Sequence, residues 1–127
     1  PIQRLTELLN EGNAEEADRL AAAMAPLFAC VGVTTQEETP YGSVECKARN
    51  PLAVKSMMNV LGMPSGPTRR PLGKMTRQGI DVALNAARQA HANDPALLAP
   101  IGTFFGVDIE ARLADESLLD ALVYEAY

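Results

Sequence analysis

Between Met63 and Pro71 the chain holds three prolines and a glycine in nine residues. Proline lacks a backbone N–H and its ring clashes with the preceding turn, so this stretch excludes both regular helix and central strand. Elsewhere apolar residues recur at helical spacing. Ile2, Leu5, Leu8 and Leu9 predict a helix over 2–11, ended at Gly12 by a left-handed residue. Asn13 and Glu16 form a capping-box pattern for a second helix, whose stripe is Ala17, Leu20, Ala21, Met24, Leu27 and Phe28. Pro26 inside that stripe predicts a kink or break.

Residues 34–49 lose the helical period and contain Pro40 and Gly42, which reads as a loop. Asn50-Pro51 then supplies a cap and a favoured first-turn residue for a third helix ending before Gly62. Thr76 opens a fourth helix through Ala92, with Ile80, Ala83, Leu84, Ala87 and Ala90 or His91 inward. Asp94-Pro95 starts a short helix, Gly102 and Gly106 punctuate the segment after it, and a last amphipathic helix is predicted over 109–126. No alternating run is long enough to predict a strand. The fold class expected is therefore all-α, five to six helices joined by Pro- and Gly-rich turns.

The formal net charge of -5 is unevenly placed. Residues 1–107 carry ten acids and ten bases, while the last twenty carry Asp108, Glu110, Asp115, Glu116, Asp120 and Glu125 against Arg112. From Lys47 to Ile80 there are seven bases and no acid. Tyr41 is the only aromatic near them, so no stacking platform is interleaved, and nucleic acid is not an expected partner. The basic stretch is expected instead to pair with acidic neighbours, among them the chain's own tail.

At 127 residues and 47% hydrophobic, the chain is apolar enough to bury a core without disulfides. Cys30 and Cys46 lie sixteen apart with no C-x-x-C pair, which fits a cytoplasmic setting and neither zinc nor redox chemistry. The longest uncharged run, Leu20–Gln36, contains Pro26 and Gly32 and falls short of the ~20 apolar residues a bilayer needs, so no membrane partner is expected. No signal peptide is visible. Opening on Pro1 and not Met points to processing or to a piece of a longer chain.

Catalytic candidates are few. His91 is the only histidine and sits near a predicted helix end, where the dipole favours it. Cys30 reads as a small core hydrophobe, and Cys46 beside Lys47 is a loop thiol without a catalytic base. The adjacent carboxylates Glu15-Glu16, Glu37-Glu38 and Asp115-Glu116 do not face each other on a helix and read as solvated helix starts and caps. No phosphate-binding glycine loop occurs. No catalytic, cofactor or metal residue is assigned.

The stretch Asn50–Leu72 reads NPLAVKSMMNVLGMPSGPTRRPL. Its Asn50-Pro51, Val54-Lys55, Leu61-Gly62, Pro64, Gly66, Arg69 and Pro71-Leu72 resemble the C-terminal part of the dihydrodipicolinate synthase and N-acetylneuraminate lyase family. Upstream, the Gly12-Asn13-x-x-x-Ala17 step and the helix containing it look like the family's helices after its last barrel strand. The resemblance covers residues 1–92 and makes 93–127 an acidic helical extension. It implies a (β/α)8 barrel followed by helices, with pyruvate or another 2-oxo acid held as a Schiff base on a barrel lysine and a tyrosine relaying protons. Lys47, Lys55 and Lys74 do not match that lysine, so the chain is expected to lack the nucleophile and be inactive alone. Asn50, Pro51, Lys55, Gly62, Gly66, Arg69 and Pro71 are then structural-motif residues. The resemblance implies a parent barrel domain and a homo-oligomer as partners. Ala53 in place of a common proline, the long loop from Thr34 to Arg49 and the acidic extension after Ala92 point to a divergent member such as an aromatic hydratase-aldolase or a sugar-acid lyase or dehydratase. The alternative is a free-standing helical interaction module.

Overall fold

A computed structural model describes residues 1–118. Among the described residues there are six α-helices, α1 (Ile2–Asn10), α2 (Ala14–Ala29), α3 (Leu52–Val60), α4 (Arg77–Asn93), α5 (Ala99–Phe105) and α6 (Ile109–Ala114), and one antiparallel hairpin, β1 (Val33–Thr39) and β2 (Gly42–Ala48). A short 3-10 helix spans Pro95–Leu97. The fold is thus mixed α and β, and the all-α expectation is wrong.

The hairpin occupies what sequence reading took for a loop. Its register runs from Val33 opposite Ala48 to Thr39 opposite Gly42, leaving Pro40-Tyr41 as a two-residue turn. Two physical facts hid it. Its inward face is Val33, Thr35 and Glu37, so alternation between apolar and polar residues lapses after one position. Pro-Tyr is also not one of the Gly- and Asn-rich dipeptides that announce two-residue hairpins. Thr35 is buried because its hydroxyl is satisfied, donating to Glu37 Oε1 at 2.7 Å.

The helix ends follow backbone accounting. At the C-terminus of α3, Gly62 N–H donates to Asn59 O and Met63 N–H to Met58 O, the paired bonds of a Schellman turn. Gly62 sits at φ +84°, in the region where an L side chain is strained. α1 ends the same way, with Gly12 N–H donating to Leu9 O and Asn13 N–H to Leu8 O. Asn13 Oδ1 then caps α2 by accepting from Glu16 N–H, while Glu16 returns its carboxylate to the Asn13 side-chain amide rather than to the backbone.

α2 runs through Pro26 to Ala29 without breaking. Its inner positions are Ala17, Ala23 and Met24, and Phe28, placed in the stripe by sequence reading, is 56% exposed. The final helix expected over 109–126 stops at Ala114, where Asp115 turns to extended backbone; residues 119–126 of that expectation lie outside the described residues.

The core is built on α4, whose Ala83, Leu84, Ala87 and Ala90 are fully buried. Three of these are alanines, which lets neighbouring helices approach closely. One cluster joins Leu84, Ala87 and Ala90 to Met24, Val60, Leu61 and Met63, and also to Leu97, Leu98, Ile109, Leu113 and Leu118. The described part of the segment after residue 92 therefore packs into the same core. A second cluster seats the hairpin, with Cys30, Val33 and Ala48 against Leu52, Ala53 and Ala83.

Candidate functional site

The structural-motif residues assemble around α3 and the proline-rich segment C-terminal to it. After the Schellman turn the chain folds back along α3. Lys55 Nζ donates to Pro67 O at 2.9 Å, and Asn59 Nδ2 donates to Gly66 O at 3.2 Å. Asn59 Oδ1 in turn accepts from Ser65 N–H at 3.2 Å. Ser65 Oγ lies 2.8 Å from both Lys55 O and Asn59 Oδ1, and its single proton serves one of them at a time. A segment with few backbone donors is thus held by side chains, because prolines at 64, 67 and 71 cannot donate.

Gly66 provides the turn at φ +68°, and the Asn50–Pro51 and Arg70–Pro71 peptides are cis. Asn50 does not cap α3: Pro51 holds the N-cap position, and no side chain bonds there. Proline at this position leaves Leu52 N–H to bond Arg49 O at 2.8 Å. Arg69 is exposed, and its carbonyl accepts from Leu72 N–H. Lys55 is engaged with a backbone carbonyl and is not the centre of a cluster of acids or bases. Sequence reading found Lys55 and Gly66 but missed Asn59 and Ser65; the signal for them was the need to satisfy a run whose own N–H groups are scarce.

A second junction ties the hairpin to α4. Thr76 Oγ1 donates to Glu37 Oε1 at 2.6 Å and accepts from Gly79 N–H at 3.0 Å, so the α4 cap also anchors β1. With Thr35 donating to the same oxygen, the two hydroxyls hold the Glu37 carboxyl below the usual glutamate range, Thr76 contributing most. A cleft of about 230 Å3 opens beside it, lined by Thr35, Cys46, Lys47, Lys74, Met75 and Thr76.

The remaining candidates are dispersed. Cys30 is buried, and desolvation pushes its thiol up, which disfavours the nucleophilic thiolate. Cys46 is half-buried on β2, not in a loop. His91 lies near the end of α4 beside a cleft of about 500 Å3 shared with α5 and α6; its Nδ1 is buried and has no hydrogen-bond partner among the described residues. Asp115 Oδ1 accepts from the Ser117 hydroxyl and backbone N–H, which lowers its pKa. Among the described residues, no group of three or more His, Cys, Asp and Glu is placed to hold a metal ion, and no helix is long and apolar enough to cross a membrane.

The charge pairing expected between tail and basic stretch falls in part on residues outside the described ones. Arg88 of α4 donates from Nε to Leu113 O at 2.9 Å, placing a cation at the C-terminal end of α6. Ion pairs such as Arg4–Glu7, Arg19–Glu16 and Lys47–Glu45 are local. Comparison with family models, with curated proteins and with solved structures finds no match to this chain.

Proposed function

We propose that this chain is the C-terminal, non-catalytic portion of a pyruvate-dependent Schiff-base lyase of the dihydrodipicolinate synthase type. The observation that carries the reading is the segment Asn50–Leu72, with its Asn-Pro, Val-Lys, Leu-Gly and Pro-Leu steps in the order of that family. The helices and hairpin cover apolar surface of the parent barrel and take part in its oligomer. Ile2, Leu9, Phe28 and Val31, all exposed apolar residues on α1 or at the end of α2, suit such a covering role. Lys55 serves the fold of α3 and the proline segment, and the Schiff-base lysine belongs to the parent barrel.

Borohydride reduction in the presence of pyruvate tests this. The 127-residue chain should keep its mass, whereas the product of a reading frame continuous with it upstream should gain one reduced pyruvate. Failure of the longer product to trap pyruvate overturns the reading, and an adduct on the chain itself overturns the claim that its lysines are non-nucleophilic.

One observation favours a second reading, a free-standing interaction module. Residues from Ala23 to Leu118 close into one apolar cluster without any barrel surface. Absence of any upstream continuation encoding barrel strands would select it.

A further inference from the structure

We infer that the outer edge of β2 pairs antiparallel with the same edge of a second copy of this chain, about a two-fold axis at Cys46. β1 lies on the helical body through the Glu37–Thr76 bond, and β2 is the outlying strand, with residues 42–45 and 47 exposed. The sheet has two strands, so among the described residues nothing pairs with the outer edge of β2. Such an edge presents unpaired N–H and C=O groups, a template for another strand. Pairing two hairpins by this edge gives a four-stranded sheet.

The sequence of β2, GSVECKA, identifies the second strand. With the axis at Cys46, Glu45 stands opposite Lys47 of the second copy, and the pairing occurs twice by symmetry. Val44, 47% exposed in the single chain, stands opposite Ala48 of the second copy and gains an apolar neighbour. Moving the axis to Glu45 or to Lys47 sets like charges directly opposite, which is destabilising. Among the registers centred on residues 45, 46 and 47, the charges therefore favour the one at Cys46. β1 lacks this property, since its charged residues, Glu37 and Glu38, are both acids. Pairing β2 with β1 of another copy would leave edges open and propagate, whereas β2 with β2 closes as a dimer. The Lys47–Glu45 contact of 2.6 Å within one strand is compatible, because a carboxylate has two oxygens and an ammonium three donors.

The inference is independent of the lyase reading and is tested on the 127-residue chain by sedimentation velocity over a concentration series. The native chain should form a dimer. Glu45→Lys and Lys47→Glu should each weaken association roughly tenfold or more, since two attractive pairs become repulsive. An equimolar mixture of the two variants should recover the dimer, because both lysines of the first variant then face glutamates of the second, although neither variant retains the within-strand pair. A monomeric native chain, variants that associate as the native chain does, or a mixture that gains nothing would each overturn the proposal. If reversal unfolds the hairpin by circular dichroism, the neutral double variant Glu45→Gln/Lys47→Gln serves instead: it should associate several-fold more weakly, and undiminished association overturns the proposal.

Discussion

Glu37 Oε1 accepts from two threonines on different elements, one two residues away and the other thirty-nine. Both bonds favour the ionised carboxyl, so its folded pKa lies below its unfolded one. The contribution to stability is therefore complete above the ordinary glutamate range and is lost as pH falls through the lowered value. Urea midpoints measured down that window should fall more steeply for the native chain than for Glu37→Gln, with the two converging at the acid end. Because Asp115 shares this direction, only the difference between the two proteins isolates Glu37. Gly102 is decided by space alone. A Cβ there would stand 2.7 Å from Val107 O, which is backbone and cannot swing aside. Gly102→Ala should cost about 1–3 kcal/mol, read as a lower denaturant midpoint.

Among the elements, α3 and its proline segment behave as one unit joined by side chains. Lys55→Met removes the bond to Pro67 O, and Asn59→Ala removes the bond to Gly66 O together with the acceptor for Ser65, while both leave the buried face of α3 intact. Global stability should fall by about 0.5–1.5 kcal/mol for each. Protease cleavage within residues 63–73 should rise more than that fall explains, since the segment has little other anchorage; equal rates in variant and native chain would count against the clamp. These elements were unequally legible. α1, α2 and α4 were readable because a helix writes its buried face into the sequence at a period of about 3.6, and Gly12, Asn13 and Thr76 mark their ends. The hairpin was illegible because the inner face of β1 passes from Val33 to Thr35 and Glu37, whose polar groups are satisfied by each other and by Thr76 of the distant α4 cap. Asn50 failed as a cap for a similar reason: Pro51 occupies the N-cap position itself.

For the whole molecule, the decisive feature is that the acidic segment completes the core. Leu97, Leu98, Ile109, Leu113 and Leu118 pack with Leu84, Ala87 and Ala90, so a chain cut after Ala92 would leave this face of α4 uncovered. Burial of an aliphatic side chain contributes roughly 1.5–3 kcal/mol, and five lost together are comparable to the whole net stability of a domain of this size. The 1–92 chain should lose its cooperative thermal transition in calorimetry, whereas an independent 1–92 unit would melt as before. By itself the sequence determined the helical blocks, their Gly and Asn boundaries and the irregular proline segment, because these depend on local sterics and on a period that one strip of chain carries. Tertiary structure alone decided the hairpin, the side-chain clamp on the proline segment and the merging of residues 97–118 into the core. Each of these requires polar or apolar groups to meet partners well beyond the next turn of chain, and no local pattern encodes that meeting.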